Sequence, residues 1–342
     1  MPHHPHQPRT RAVAALTVGA CVMLAASCTT EGGSNHRNSS NSSSHPDTTG
    51  SAMSANDTAT PGNVTRHVTS VDDRERTWTT YTPLHDQAEP RPMPIVLVVH
   101  GTGDTGDGIR GGIGLDLERL ADEHGFVIAY ADGYANNWNE CRVAGDWPAK
   151  VDNVDDVGFL RNIVERLGSD LGADTVNTSA VFALGFSSGG HMVQRLAYQA
   201  PDLVSGIASV NANVATDDNM DCTDTGEPVP ALFIQGREDP WNPFDGGEVI
   251  VGEGFFAESR GTVHSAADSA RWFADRNGAG ASGTPTRDGD AEITDWPGEH
   301  PVRLIAVDHS GHSFPTTTGR WGNDNGARYD GPGAVWEFFA GL

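Results

Sequence analysis

Near its middle the chain passes from the pattern of a strand to that of a helix through a single short glycine-rich turn. Ala180-Val181-Phe182-Ala183-Leu184 is a continuous apolar run, as expected of a strand buried on both faces. It ends in Gly185-Phe186-Ser187-Ser188-Gly189-Gly190, after which Met192, Val193, Leu196 and Ala197 recur at helical spacing without an interior proline. So sharp a turn strains the backbone at Ser187, and the residues two before and two after it must lack side chains to avoid collision. Such a strand must lie inside a sheet, and the helix that leaves it must pack back on that sheet.

The rest of the chain repeats the alternation. Arg76 to Thr82 alternates like a strand, and Pro94 to His100 is a second continuous apolar run. A helix is expected over Leu115 to His124, a buried strand over Phe126 to Tyr130 and a helix over Asp155 to Leu171. Beyond the Ser187 turn come a strand at Ala231 to Ile234, a helix at Ser265 to Arg276, a strand at Val302 to Val307 and a closing helix at Ala334 to Ala340. Alternating strands and helices predict an α/β fold with a mostly parallel central sheet, right-handed crossovers and helices on both faces. Functional groups then gather at the carboxyl ends of the strands.

Residues 1–64 follow different rules. Arg9 and Arg11 precede an uncharged, mostly apolar stretch, Ala12 to Ala26, that is short for a membrane span and ends in small residues. Leu24-Ala25-Ala26-Ser27-Cys28 resembles a bacterial lipoprotein signal with Cys28 as the lipidated residue; the alternative is an ordinary signal peptide cut nearby. Residues 29–64 are rich in Ser, Asn, Thr and Gly with no apolar period, so a disordered tether is expected, with the folded domain over 65–342. His3, His4 and His6 lie before the cleavage point.

Net charge is −24, and residues 1–64 contribute nothing to it, since Arg9, Arg11 and Arg37 balance Glu31, Asp47 and Asp57. The folded part has one lysine, Lys150. Such a surface repels phosphate backbones and anionic headgroups, so nucleic acid is not an expected partner, and membrane contact is expected only through Cys28. Apart from Cys21 and Cys28, the cysteines are Cys141 and Cys222. In an exported protein these are expected to form a disulfide, two buried thiols being the alternative.

A serine hydroxyl becomes a nucleophile only beside an imidazole that takes its proton, and the imidazole needs a carboxylate to hold its tautomer. Beyond Ser187, the segment Gln235-Gly236-Arg237-Glu238-Asp239-Pro240 leaves a strand through a glycine turn. Asp239 is the preferred acid there, with Glu238 next to it and Asp245 further off. Val307-Asp308-His309-Ser310-Gly311-His312 follows the last strand and offers two histidines. His312 is preferred because Gly311 would let the loop bend toward Ser187; His300 and His264 are weaker candidates. His309 and His312 also have the spacing of a metal pair, but the sequence supplies no evident third ligand, so no metal is expected. Two backbone N–H groups should receive the charge of a tetrahedral intermediate: that of Ser188, and that of Thr102 in the loop His100-Gly101-Thr102-Gly103-Asp104. This loop also matches G-x-G-x-x-G over Gly101 to Gly106, with Asp132 after the next strand. A dinucleotide site is nevertheless not expected, because Asp107 to Gly114 separates Gly106 from the anticipated helix.

Taken together these residues resemble the polyhydroxybutyrate depolymerase, feruloyl esterase and acetylxylan esterase group of α/β-hydrolases, over roughly residues 75–342. The resemblance rests on His100-Gly101-Thr102, Asp132-Gly133 with Trp138-Asn139, and Asp155-Asp156-Val157-Gly158-Phe159. It continues in Gly185 to Gly190, Gly236-x-x-Asp239 with Gly246-Gly247, and Gly311-His312-Ser313-Phe314-Pro315. Phe314 stands where the group usually has tryptophan, and Thr102 where cysteine is frequent. The resemblance implies Ser187, Asp239 and His312 as nucleophile, acid and base, with no cofactor. The expectation is thus an exported, monomeric serine esterase working through an acyl-enzyme on Ser187. Its substrates would be polysaccharide-linked acetyl or feruloyl esters, or short hydroxyalkanoate polyesters. Trp138, Trp241 and Phe314 are candidates for lining the substrate site. The rival expectation is a catalytically silent surface lipoprotein that binds glycan or a partner on the same scaffold.

Overall fold

In the computed structural model, residues 62–84, 91–252, 257–317 and 328–342 are described. The signal segment, Cys28 and the tether up to residue 61 lie outside them. The chain enters through a hairpin, β1 (Asn63–Val71) and β2 (Arg74–Thr82). Its two-residue turn, Asp72-Asp73, has φ of 51° and 58°, the left-handed pair that matches strand twist in tight hairpins. Then follow β3 (Met93–Val99), α1 (Gly106–His124), β4 (Val127–Ala131), the short α2 (Pro148–Val151) and α3 (Asp156–Leu171). The central part comprises β5 (Val176–Phe186), α4 (Ser188–Gln199), β6 (Gly206–Val210) and β7 (Ala231–Gly236). A separate hairpin, β8 (Gly247–Val251) with β9 (Glu258–Val263), precedes α5 (Ala266–Arg276). The chain closes with β10 (Thr286–Asp288), β11 (Ala291–Trp296), β12 (Val302–Val307) and α6 (Gly331–Ala340).

The main sheet runs β1-β2-β4-β3-β5-β6-β7-β12-β11-β10. Its six central strands, β4 to β12 in that order, are parallel, and antiparallel pairs flank them on both sides. Successive residues of β3 feed opposite cores. Ile95, Leu97 and Val99 join the cluster under α3, α4 and α5, while Val96 and Val98 join the cluster under α1 and α6. Helices therefore cover both faces, as the continuous apolar strands require.

Four features depart from the sequence expectations. Helix α1 begins at Gly106 rather than Leu115. Thr105 caps it by accepting from the Gly108 N–H (3.0 Å), and Ile109, Ile113 and Leu117 pack beneath the sheet. Capping and burial here outweigh the poor helix propensity of the glycines between them. Strand β6 is an unexpected member of the sheet, as are the outer strands β1, β10 and β11; the β8–β9 hairpin was also not anticipated. Cys141 and Cys222 form a disulfide with their Cα atoms 5.1 Å apart. Among the described residues no helix is long and apolar enough to cross a membrane.

Candidate active site

The turn after β5 has the predicted strain. Ser187 sits at φ 55°, ψ −121°, a conformation that costs a non-glycine residue about 1–3 kcal/mol. Close packing holds it there. A Cβ on Gly185 would lie 2.0 Å from the Gly189 carbonyl oxygen, and one on Gly189 would lie 2.1 Å from that of Val99, so neither position admits a side chain. The Ser187 N–H donates to the Val210 carbonyl (2.8 Å), tying the turn to the end of β6.

Ser187 Oγ lies 2.9 Å from His312 Nε2, and His312 Nδ1 lies 2.7 Å from Asp239 Oδ2. The Asp239 carboxylate is completely buried, and its other oxygen accepts the N–H groups of Trp241 (2.8 Å) and Asn242 (2.9 Å). With both oxygens engaged, the carboxylate faces the imidazole as an acceptor. That fixes a proton on Nδ1 and leaves Nε2 to accept from the serine hydroxyl. The rings of Phe186 and Trp241 flank His312 at 5.1 and 4.8 Å.

The alternative candidates Glu238 and His309 also meet, but elsewhere. His309 Nδ1 lies 3.1 Å from Glu238 Oε1 in a pair whose side chains are 66% and 48% exposed. Glu238 and His309 are thus absent from the Ser187 contacts, and His309 and His312 turn to different partners. The left-handed residue of this loop is His309 (φ 59°) rather than Gly311, so the bend lies earlier than anticipated. Among the described residues no cluster of His, Cys, Asp or Glu is arranged to hold a metal ion.

Asn211, unremarked in the sequence, joins the two loops. From the end of β6 its Oδ1 accepts the Gly236 N–H (2.9 Å), while its Nδ2 donates to the carbonyls of Ser313 (2.9 Å) and Gly311 (3.2 Å). One amide side chain thereby sets the loop of Asp239 against the loop of His312. No local sequence signal marks Asn211, because its place depends on β6, a short mixed strand whose burial is set by its neighbours.

The His100–Gly106 loop lies directly over the turn, with a Cβ on Gly101 falling 3.3 Å from Ser187 Cβ. Fully buried His100 organises it. Its Nδ1–H donates to the Gly101 carbonyl (2.7 Å) and its Nε2 accepts the Gly133 N–H (2.9 Å), a pattern only the neutral ring can make. Burial pushes the His100 pKa down, which favours that form. No described residue accepts a hydrogen bond from the N–H of Thr102 or of Ser188. Since α1 opens at Gly106 after all, the distance to a helix does not exclude a dinucleotide. What disfavours one is occupancy: the Gly106 N–H donates to Asp132 Oδ1 (2.8 Å) and that of Gly108 to Thr105, so a pyrophosphate would meet a carboxylate at this helix end.

Of the three candidate aromatic residues, Trp241 lines the cavity beside Ser187, and Trp138 and Phe314 do not. Both are completely buried. Trp138 packs on His100 and donates its indole N–H to the His100 carbonyl (2.9 Å); Phe314 packs behind Phe186. Asp155 and Asp156 are structural as well. Asp155 caps α3 through the Gly158 N–H, and buried Asp156 joins Arg76 of β2 (2.6 Å) to the Asn139 N–H (2.7 Å). The cavity encloses about 590 Å³, and its walls include Thr102, Arg142, His191, Asn211 and Trp241, with Val249 and Val251 from β8.

Known proteins resemble this chain in sequence and in fold. Over 159 residues the chain is 37% identical to NocK of Nocardia uniformis subsp. tsuyamanensis, an esterase by name only, covering 46% of this chain and 44% of NocK. It is 28% identical over 191 residues to feruloyl esterase C of Emericella nidulans, covering 55% of this chain and 58% of that enzyme. The chain thus spans about half the length of the curated relatives it matches. No family model matches it. Among solved structures, an acetyl xylan esterase from Aspergillus awamori superposes with a TM-score of 0.54 at 16% identity, over 82% of this chain and all of that one. The chain therefore has the α/β-hydrolase fold and resembles, in sequence, proteins named as esterases and feruloyl esterases.

Proposed function

We propose that the protein is a serine carboxylic-ester hydrolase. One observation carries this reading: Ser187 Oγ, His312 and buried Asp239 stand in one unbroken hydrogen-bonded line at the floor of a cavity. In this reading Ser187 Oγ attacks the ester carbonyl carbon while His312 Nε2 takes its proton. Asp239 keeps the ring oriented and stabilises its charged form. The N–H groups of Thr102 and Ser188 receive the developing oxyanion. His312 then returns the proton to the leaving alcohol, and a water molecule, deprotonated by the same nitrogen, releases the acid from Ser187.

Acetyl or feruloyl groups on polysaccharide are the substrates that the relatives' names suggest, with short hydroxyalkanoate polyesters as the other candidate class. A cavity of about 590 Å³ suits an acyl group with part of its alcohol. Residues 1–28 are read as a signal peptide with lipidation at Cys28 and the stretch from residue 29 to the start of β1 at Asn63 as a tether, placing a monomeric folded domain at the cell surface. The Cys141–Cys222 bridge supports an oxidising destination.

Reaction with a fluorophosphonate tests the catalytic reading. A single covalent adduct on Ser187, lost in Ser187→Ala, together with turnover of 4-nitrophenyl acetate, is expected. A folded protein that takes up no label would instead favour the silent binding scaffold.

A further inference from the structure

Two polar side chains in the cavity wall keep hydrogen-bonding groups that the protein does not use. Arg142 is only 4% exposed. Its Nε donates to Glu140 Oε1 (2.8 Å), and Glu140 Oε2 accepts the Arg142 backbone N–H (2.8 Å). Among the described residues neither Nη1 nor Nη2 of Arg142 has an acceptor, although this side chain lines the cavity. The second arginine of the wall, Arg260, differs: its two Nη groups donate to Asp146 (2.6 Å) and Glu258 (2.5 Å). His191, in the first turn of α4, is 5% exposed, lines the same cavity and has no hydrogen-bond partner among the described residues. Burial, reinforced by the nearby Arg142 and His312, holds its ring neutral, with one N–H to donate.

Both side chains are nine-tenths or more buried yet turn unpaired donors into the cavity, and an open guanidinium fork beside an open imidazole there points to a ligand group. The fork is also fixed in place. Arg142 lies over the Trp147 ring (5.5 Å), follows the disulfide-bonded Cys141 and bridges to Met220. Asp104, the acidic residue of this wall, turns its carboxylate toward Gly108 at the start of α1. We infer that Arg142 and His191 form a subsite for a carboxylate carried by the ester substrate, the guanidinium gripping both oxygens and the imidazole N–H adding a third bond. Guanidinium and carboxylate match as planar, two-pronged partners, and a cation enclosed in so acidic a chain discriminates against neutral isosteres. This inference rests on the esterase reading and narrows its substrates to acid-bearing esters.

The test is the ratio of kcat/KM between a carboxylate ester and its carboxamide isostere, measured on the full chain. Mono-4-nitrophenyl glutarate against its amide places the charge on the acyl side; 3-acetoxybutyrate against 3-acetoxybutyramide places it on the alcohol side. In one of the two pairs the acid should be preferred by about tenfold or more, and the preference should fall to about unity in Glu140→Gln/Arg142→Gln. His191→Gln should reduce the same ratio by a smaller factor, and glutarate should inhibit the unaltered protein where glutaramide does not. Wild-type ratios near unity in both pairs, or a ratio that both variants leave intact, would overturn the subsite while neutral-ester turnover preserved the esterase reading. Absence of fluorophosphonate labelling at Ser187 would overturn both.

Discussion

Two loops, one after β7 and one after β12, each offer a pair of chemically similar residues, and folding makes two histidine–carboxylate contacts from them. In the inner contact, His312 and Asp239 are 9% and 0% exposed and continue to Ser187. In the outer contact, the His309 and Glu238 side chains are 66% and 48% exposed, and neither touches Ser187. The difference teaches that identity and proximity alone do not set a pair's environment: the proposed catalytic role falls to the inner pair because it is enclosed and reaches Ser187. Water screens the outer pair, so its mutual attraction is weak and either ring nitrogen can be satisfied by solvent. Enclosure gives the inner carboxylate only one imidazole to orient, and two backbone N–H groups prevent it from turning away.

The most direct way to break this contrast is to exchange the members of each pair for inert ones. Asp239→Asn and His312→Ala should each lower kcat by about three to four orders of magnitude, by analogy with catalytic triads in general. Glu238→Gln and His309→Ala should stay within about twofold. Steady-state kinetics with 4-nitrophenyl acetate reads all four, and a large loss at Glu238 or His309 would reassign the acid or the base.

Smaller in effect is the support of the cavity that encloses the inner pair. The disulfide spans a sequence separation of 81 residues and anchors the segment bearing Arg142. Cys141→Ser/Cys222→Ser should lose about 4 kcal/mol of stability, seen as a fall in Tm of about 10 °C. An unchanged Tm would mean that packing alone holds this wall.

The smallest effect is the pH response of the enclosed imidazoles His100 and His191. His100 has a folded-state pKa below its ordinary 6.5, because burial opposes the charged ring. The unfolded chain therefore binds this proton more readily, so the stability contributed by neutral His100 is complete above 6.5 and is lost as pH falls through the folded value. His191 acts with the same sign. Tm should decline by a few degrees between pH 7 and pH 5. His100→Gln should flatten that decline. A wild-type Tm independent of pH over that range would contradict the tautomer assigned to His100.

Much of the frame was legible because its signals are local. A continuous apolar run marks a doubly buried strand wherever it occurs, and β3, β4, β5, β7 and β12 all announce themselves this way. Gly185 is equally local, since its Cβ would meet the Gly189 carbonyl within the turn, whereas Gly189 is forced by the Val99 carbonyl of β3. β6 is not legible in the sequence because Gly-Ile-Ala-Ser-Val is short and mixed, and its burial depends on the strands on either side. Nor is the start of α1, because glycine propensity argues against a helix that a threonine cap and a sheet face nevertheless stabilise.

By itself, then, the sequence determined a parallel α/β sheet, a strained serine at the end of one strand, and acid and histidine loops following two others. Only the tertiary structure decided which acid and which histidine reach that serine, that Asn211 joins their loops, and that Arg142 and His191 share the cavity. The reason is range. Periodicity and turn chemistry act over a few residues, whereas Ser187 and His312 are 125 residues apart, and their 2.9 Å contact exists only once the whole sheet has closed between them.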